Sequence, residues 1–206
     1  MPRPPLVRFT SPYVVLPRDN VDTDQIIPAR FLTTTTRSGL GAQAFNDWRY
    51  RADGSPDPGF VLNRPDAIGA RVLVTGHNFG CGSSREHAVW ALLGAGFAAV
   101  VSTGFADIFR ANALGNGLLP VELPTAAVRA LMDGPPGLSP HVTIDPAEQT
   151  ITLPDGTPVT FPLPAFAKHC LLAGIDEMEF LLGAQADIER FEATLPTPPG
   201  TVVATR

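Results

Sequence analysis

The residues best able to do chemistry lie in one run, Arg71-Val-Leu-Val-Thr-Gly-His-Asn-Phe-Gly-Cys-Gly-Ser83-Ser84-Arg85-Glu86-His87. A strand-like stretch ends, a loop with three glycines follows, and two serines open a helix. Such a loop lets backbone N–H groups approach an anion, and the helix start adds a positive partial charge. Arg85 supplies a planar double donor suited to a carboxylate or phosphate. A serine oxygen at this place is also less costly to deprotonate than elsewhere. The same residues have a plainer reading, because Ser83-x-x-Glu86 is a capping box and a helix start needs nothing more. Both readings stay open.

Other known patterns fail on inspection. The glycine loop lacks the lysine of a phosphate-binding P-loop and the third glycine of a dinucleotide fingerprint. Neither serine has the flanking glycines of a nucleophile elbow. Cys81 reads as a small apolar residue beneath the loop more readily than as a nucleophile. His87 is either a base for Ser84 or a packed, hydrogen-bonded histidine. The segment Asn20-Val-Asp22-Thr-Asp24-Gln25-Ile-Ile-Pro28 is rich in acids, but Gln25 stands where a calcium loop needs glycine. Asx turns and a helix cap account for it. Arg37 is the one charge in the Thr/Gly-rich loop 33–41, and it forms a dicarboxylate clamp only if it faces the same cavity as Arg85.

These residues need elements to hold them. Residues 13–16, 71–75, 98–102 and 118–123 read as strands, and 84–93, 106–114 and 126–132 as helices. Strand–helix alternation from 71 to 123 predicts parallel pairing with helical crossovers. After the breaker Gly134-Pro-Pro-Gly137, residues 141–145, 149–153 and 157–161 read as short strands, the last two joined at Pro154-Asp155-Gly156. Helices at 44–50, 165–172 and 186–195 complete the count. The expected class is α/β, a mostly parallel sheet flanked by helices with a C-terminal β-hairpin. One domain is expected over 1–195, with 196–206 a disordered Pro/Thr-rich tail.

Composition narrows the function. The chain has 206 residues, of which 44% are hydrophobic, enough for one core. A net charge of −5 and the absence of a basic run exclude nucleic-acid binding through phosphate neutralisation. Cys81 and Cys170 are too few and too far apart for a disulfide framework, a zinc ribbon or a self-contained iron–sulfur cluster, so no metal site is expected in this chain. The uncharged run 88–106 approaches membrane-spanning length, but Gly94 and Gly96 divide it into two buried elements. A soluble, cytoplasmic chain is expected, without an apolar leader.

Asn20-Val-Asp-Thr-Asp-Gln-Ile-Ile-Pro28, Phe45-Asn-Asp-Trp-Arg49, Asn78-Phe-Gly-Cys-Gly-Ser-Ser-Arg-Glu-His-Ala88, Phe105-Ala-Asp-Ile-Phe109 and Asn116-Gly-Leu-Leu-Pro120 together resemble the small-subunit family of 3-isopropylmalate dehydratase. That family is a stand-alone version of the swivelling domain of aconitase, and the likeness runs from about residue 13 to 182. The resemblance implies isomerisation of 2-isopropylmalate to 3-isopropylmalate by dehydration and rehydration, in leucine biosynthesis. It implies a partner large subunit carrying a [4Fe-4S] cluster, with none in this chain, and a small dicarboxylate substrate. Carried over by motif position, Ser83 is the base, Arg85 binds substrate carboxylate, Ser84 is a supporting donor, and Asp24 and His87 support the site. Arg37 falls where the family reads the substrate's side group. Related dehydratases for homoaconitate, citramalate or dimethylmalate share the Ser-Ser-Arg motif. A non-catalytic anion-binding module, in which Ser83 only caps a helix, is the contrasting reading.

Overall fold

Two strands of the sheet are buried on both faces, and the rest is arranged around them. The structure, a computed structural model, describes residues 3–33, 36–134 and 141–195. Its strands are β1 (Phe9–Leu16), β2 (Val72–Thr75), β3 (Ala99–Ser102), β4 (Leu119–Glu122), β5 (His141–Asp145), β6 (Thr150–Thr152) and β7 (Pro158–Thr160). They form one sheet in the order β4-β3-β2-β1-β5-β6-β7. Among the described residues β1–β4 pair in parallel and β5–β7 antiparallel. The helices are α1 (Thr23–Ile26), α2 (Asn46–Arg49), α3 (Glu86–Gly94), α4 (Asp107–Asn116), α5 (Thr125–Asp133), α6 (Ala165–Ala173), α7 (Glu177–Gly183) and α8 (Gln185–Glu192).

The burial patterns follow from what covers each strand. Every residue of β2 and β3 is buried, as expected for parallel strands with helices on both faces. Leu73 and Val100 pack with α3 and α4, whereas Val72, Val74 and Val101 pack with α5, α6 and the antiparallel wing. In β5 only Val142 and Ile144 are buried, the alternation of a sheet with one wet face. Pro120 is tolerated because β4 is an edge strand.

β1 begins earlier than the sequence suggests and joins the two halves. Its first part pairs with β5, Phe9 opposite Ile144 through Pro12 opposite His141. Its second part pairs with β2, Tyr13 opposite Val72 through Leu16 opposite Thr75. The parallel and antiparallel portions are therefore equal partners, and the hairpin is the outer edge of a three-stranded wing. α7 is absent from the sequence reading. Asp176 caps it, accepting from the Glu179 backbone while the Glu179 side chain accepts from the Asp176 backbone. That capping box was the missed signal.

The uncharged run 88–106 is divided between α3 and β3, and among the described residues no helix is long and apolar enough to cross a membrane. The tail 196–206 and most of the breaker at 134–137 lie outside the described residues.

α3 packs against the turn at 40–43 so closely that backbones touch. A Cβ on Gly41 would lie 2.0 Å from the Gly94 carbonyl carbon. Gly115, inside α4, has nothing within 4 Å of the same imagined atom. One substitution should thus have opposite signs. Gly41→Ala is expected to cost about 1–3 kcal/mol, and Gly115→Ala to stabilise by about 0.5–1 kcal/mol, both read from urea unfolding midpoints.

Candidate active site

The parallel strands β1 and β2 end side by side, and the chain leaving each one continues alongside the other. Gly76 N–H donates to the Arg18 carbonyl (3.0 Å), Asn20 to His77 (2.8 Å), Gly80 to Val21 (2.8 Å) and Thr23 to Cys81 (2.9 Å). The acid-rich segment and the glycine loop, some sixty residues apart in sequence, thereby become one ladder. The glycines are required by this closeness. A Cβ on Gly82, at φ +90°, would lie 2.0 Å from the Asp22 carboxylate, and one on Gly80 would lie 2.2 Å from the Phe109 ring. From the other side Phe79 N–H donates to Gly104 (3.1 Å), and the Ser102 hydroxyl donates to the Gly104 and Gly76 carbonyls.

The ladder carries on to the serines through Thr23. Its hydroxyl, in a residue only 2% exposed, donates to the Ser83 carbonyl at 2.9 Å. Ser83 is therefore held by its backbone while its side chain stays at the exposed surface. The sequence carries no signal for Thr23, which reads there as one turn residue between two aspartates.

The capping box expected at Ser83–Glu86 does not form. α3 begins at Glu86 with Arg85 as its N-cap in extended backbone, and no side chain caps it. The reason lies in α4. Asn116, 8% exposed, donates to Glu86 Oε1 (2.7 Å) and accepts from Trp90 Nε1 (2.9 Å). Glu86 is thus held by Asn116 instead of reaching back to Ser83. The cap expected nearby is present, since Asp22 caps α1 in a box with Gln25.

Arg85 is half-buried and ion-paired through Nη1 with Asp24 Oδ1. At this exposure such a pair contributes about 0–1 kcal/mol, so its consequence is orientation. It fixes the guanidinium beside the two serines, at the positive end of a nine-residue helix. Thr23, Asp24, Ser83 and Arg85 are linked by these contacts, and Ser84 lies between the last two in the chain.

The remaining candidates have other contacts. The His87 ring packs on Trp90, centroids 4.6 Å apart, which is the packed arrangement. Arg37 is not brought to Arg85. Its guanidinium lies 5.2 Å from the centre of the Trp90 ring, beside the second turn of α3, and lines a cavity with Leu93, Gly96 and Gly117. Burial, and secondarily the Asp22 charge, push the Cys81 thiol above its ordinary pKa, so the thiolate that a nucleophile requires is disfavoured. A cavity of about 630 Å³ lies against α2, lined by Arg30, Asn46, Asp47 and Tyr50, away from the serines. Among the described residues no group of three or more His, Cys, Asp or Glu is placed to hold a metal ion.

Comparison with known proteins places the chain in a family. The aconitase C-terminal domain family matches residues 10–126. The 3-isopropylmalate dehydratase small subunit of Anaeromyxobacter sp. (strain K) is 60% identical over 188 residues, covering 91% of this chain and 97% of the relative. That of Chloroflexus aurantiacus is 54% identical over 200 residues, covering 96% and 98%. The crystal structure of 3-isopropylmalate dehydratase from Methanocaldococcus jannaschii superposes with a TM-score of 0.65 at 27% identity, covering 90% of this chain and 99% of that one. The chain belongs to the aconitase C-terminal domain family, in its branch of 3-isopropylmalate dehydratase small subunits.

Proposed function

We propose that this chain is the small subunit of a hydro-lyase that interconverts 2-isopropylmalate and 3-isopropylmalate, acting with a large subunit. The observation that carries the reading is a pair of exposed serines at a helix start where they serve no capping role, beside an arginine aimed by Asp24. Ser83 removes the proton from the carbon next to one carboxylate as the hydroxyl leaves the neighbouring carbon. Readdition of water with the two positions exchanged gives the isomer. A C–H beside a carboxylate is a very weak acid, so the carboxylate that accepts carbanion-like charge must be neutralised. Arg85 supplies that neutralisation, with Ser84 as a second donor and Asp24 holding the guanidinium in place.

The iron–sulfur cluster implied by the resemblance does not fit this chain. Cys81 sits in the glycine loop and Cys170 is buried in α6, and no third ligand joins either among the described residues. We assign the cluster to the large subunit, whose surface closes the open side of the serine group and excludes water there. Co-purification of the two subunits under anaerobic conditions, followed by assays on a panel of 2-hydroxy diacids, tests the pairing and the substrate.

Because Ser83 caps nothing, its removal separates the two readings of the motif. Ser83→Ala is expected to leave stability within about 0.5 kcal/mol and to lower turnover of the reconstituted complex by about 10²–10⁴-fold. Unchanged turnover would return the serine to a structural role. Arg85→Lys should raise KM about tenfold through loss of a planar double donor, checked by steady-state kinetics. For the clamp, Thr23→Val should reduce kcat by about 10–100-fold with KM little changed, and Thr23→Ser should restore it. A loss that serine fails to restore would count against positioning through the hydroxyl.

A further inference from the structure

At the opposite edge of the sheet, the chain entering β1–β4 borders a cavity of about 350 Å³ whose lining includes Arg3, Arg37, Arg71, Leu93, Phe97 and Leu171. It lies along α3, bordered by Leu93, Gly96 and Phe97 at the helix end and by Asn116 at its side, and Ser83 does not line it. Three guanidinium groups meet here in a chain of net charge −5. No carboxylate lines the cavity, and none of the three arginines is in an ion pair among the described residues.

Part of this arrangement has a structural cause. Arg3 donates through Nη1 to the Gly115 carbonyl (2.8 Å) and through Nη2 to the Ile175 carbonyl, near the ends of α4 and α6, where helix dipoles favour a cation. Its Nε remains shielded from solvent without a partner. The same cause does not account for the other two. Arg37 stacks on Trp90 and Arg71 on Phe9, 4.5 Å from the ring centre, and a guanidinium on a ring face keeps its N–H donors in its own plane. Burial holds the Arg3 guanidinium below its ordinary pKa, while Cys170, Asp176 and Glu179 act to raise it and the Arg37 charge adds only the smallest lowering. An anion in the cavity adds an attraction that Arg37 and Arg71, in no ion pair among the described residues, otherwise lack. The walls supplied by Leu6, Leu93, Phe97 and Leu171 are apolar, and the volume lies within the range of small-molecule sites.

We infer that this cavity is a second ligand site, built for a small carboxylate with a short aliphatic body: the cationic mouth takes the carboxylate and the apolar wall takes the chain. It uses no residue of the serine group. Titration of the full-length chain with 4-methylpentanoate in a calorimeter should show one saturable site with a Kd of about 1 mM or tighter. The uncharged 4-methylpentanamide and inorganic phosphate should each bind at least tenfold more weakly, since one lacks the charge and the other the body. Arg71→Ala, at an exposed position, should weaken 4-methylpentanoate about tenfold with turnover of the complex unchanged. Ser83→Ala should leave this affinity as it is. Absence of binding, equal affinity for the amide or for phosphate, an unaffected Arg71→Ala, or loss of binding in Ser83→Ala would each overturn the assignment.

Discussion

Four backbone hydrogen bonds between the chain leaving β1 and the chain leaving β2 hold the rest of the site in place. Without them the glycine loop is an irregular connection and Asp24 is an acid in a distant turn. With them, the Asp22 carboxylate lies over Gly82 and the Thr23 hydroxyl reaches the Ser83 carbonyl. The carbonyl ends of parallel strands are where α/β proteins place their ligands, and here two such ends are laced together before the helix begins.

The lacing also explains the glycines. Gly76, Gly80 and Gly82 each abut a specific side chain, of Asp19, Phe109 and Asp22 respectively, so they permit close packing first and a backbone turn second. A loop packed this tightly has little freedom, so the serines that follow it are held at a fixed place. The charges follow the same economy. Arg85 has a carboxylate neighbour, Asp24, that orients its half-buried guanidinium.

Much of this was readable from residue order alone. The strand–helix alternation between Arg71 and Leu123 predicted the parallel half, and Pro154-Asp155-Gly156 predicted the turn between β6 and β7. What local pattern could not supply were partners from far along the chain. Ser83 and Glu86 have the spacing of a capping box, yet Asn116 takes Glu86 away. β1 looked short because Pro12 interrupts its pattern, and only β5 shows that its first half is a strand. The sequence left open whether Arg37 faces the same cavity as Arg85, and its guanidinium stacks on the Trp90 ring. The glycine loop and helix start drew attention to the serines, whereas Thr23 and Asn116 emerge only from three-dimensional contacts.

The amide of Asn116 acts mechanically on α3. One side chain receives the Trp90 indole, holds the first residue of α3 and also ties back to its own helix at the Asn112 carbonyl. A helix gripped near both its first and second turns can neither slide along its neighbour nor roll against it without breaking bonds in a nearly dry place. The scaffold beneath the exposed serines therefore behaves as a stiff anvil.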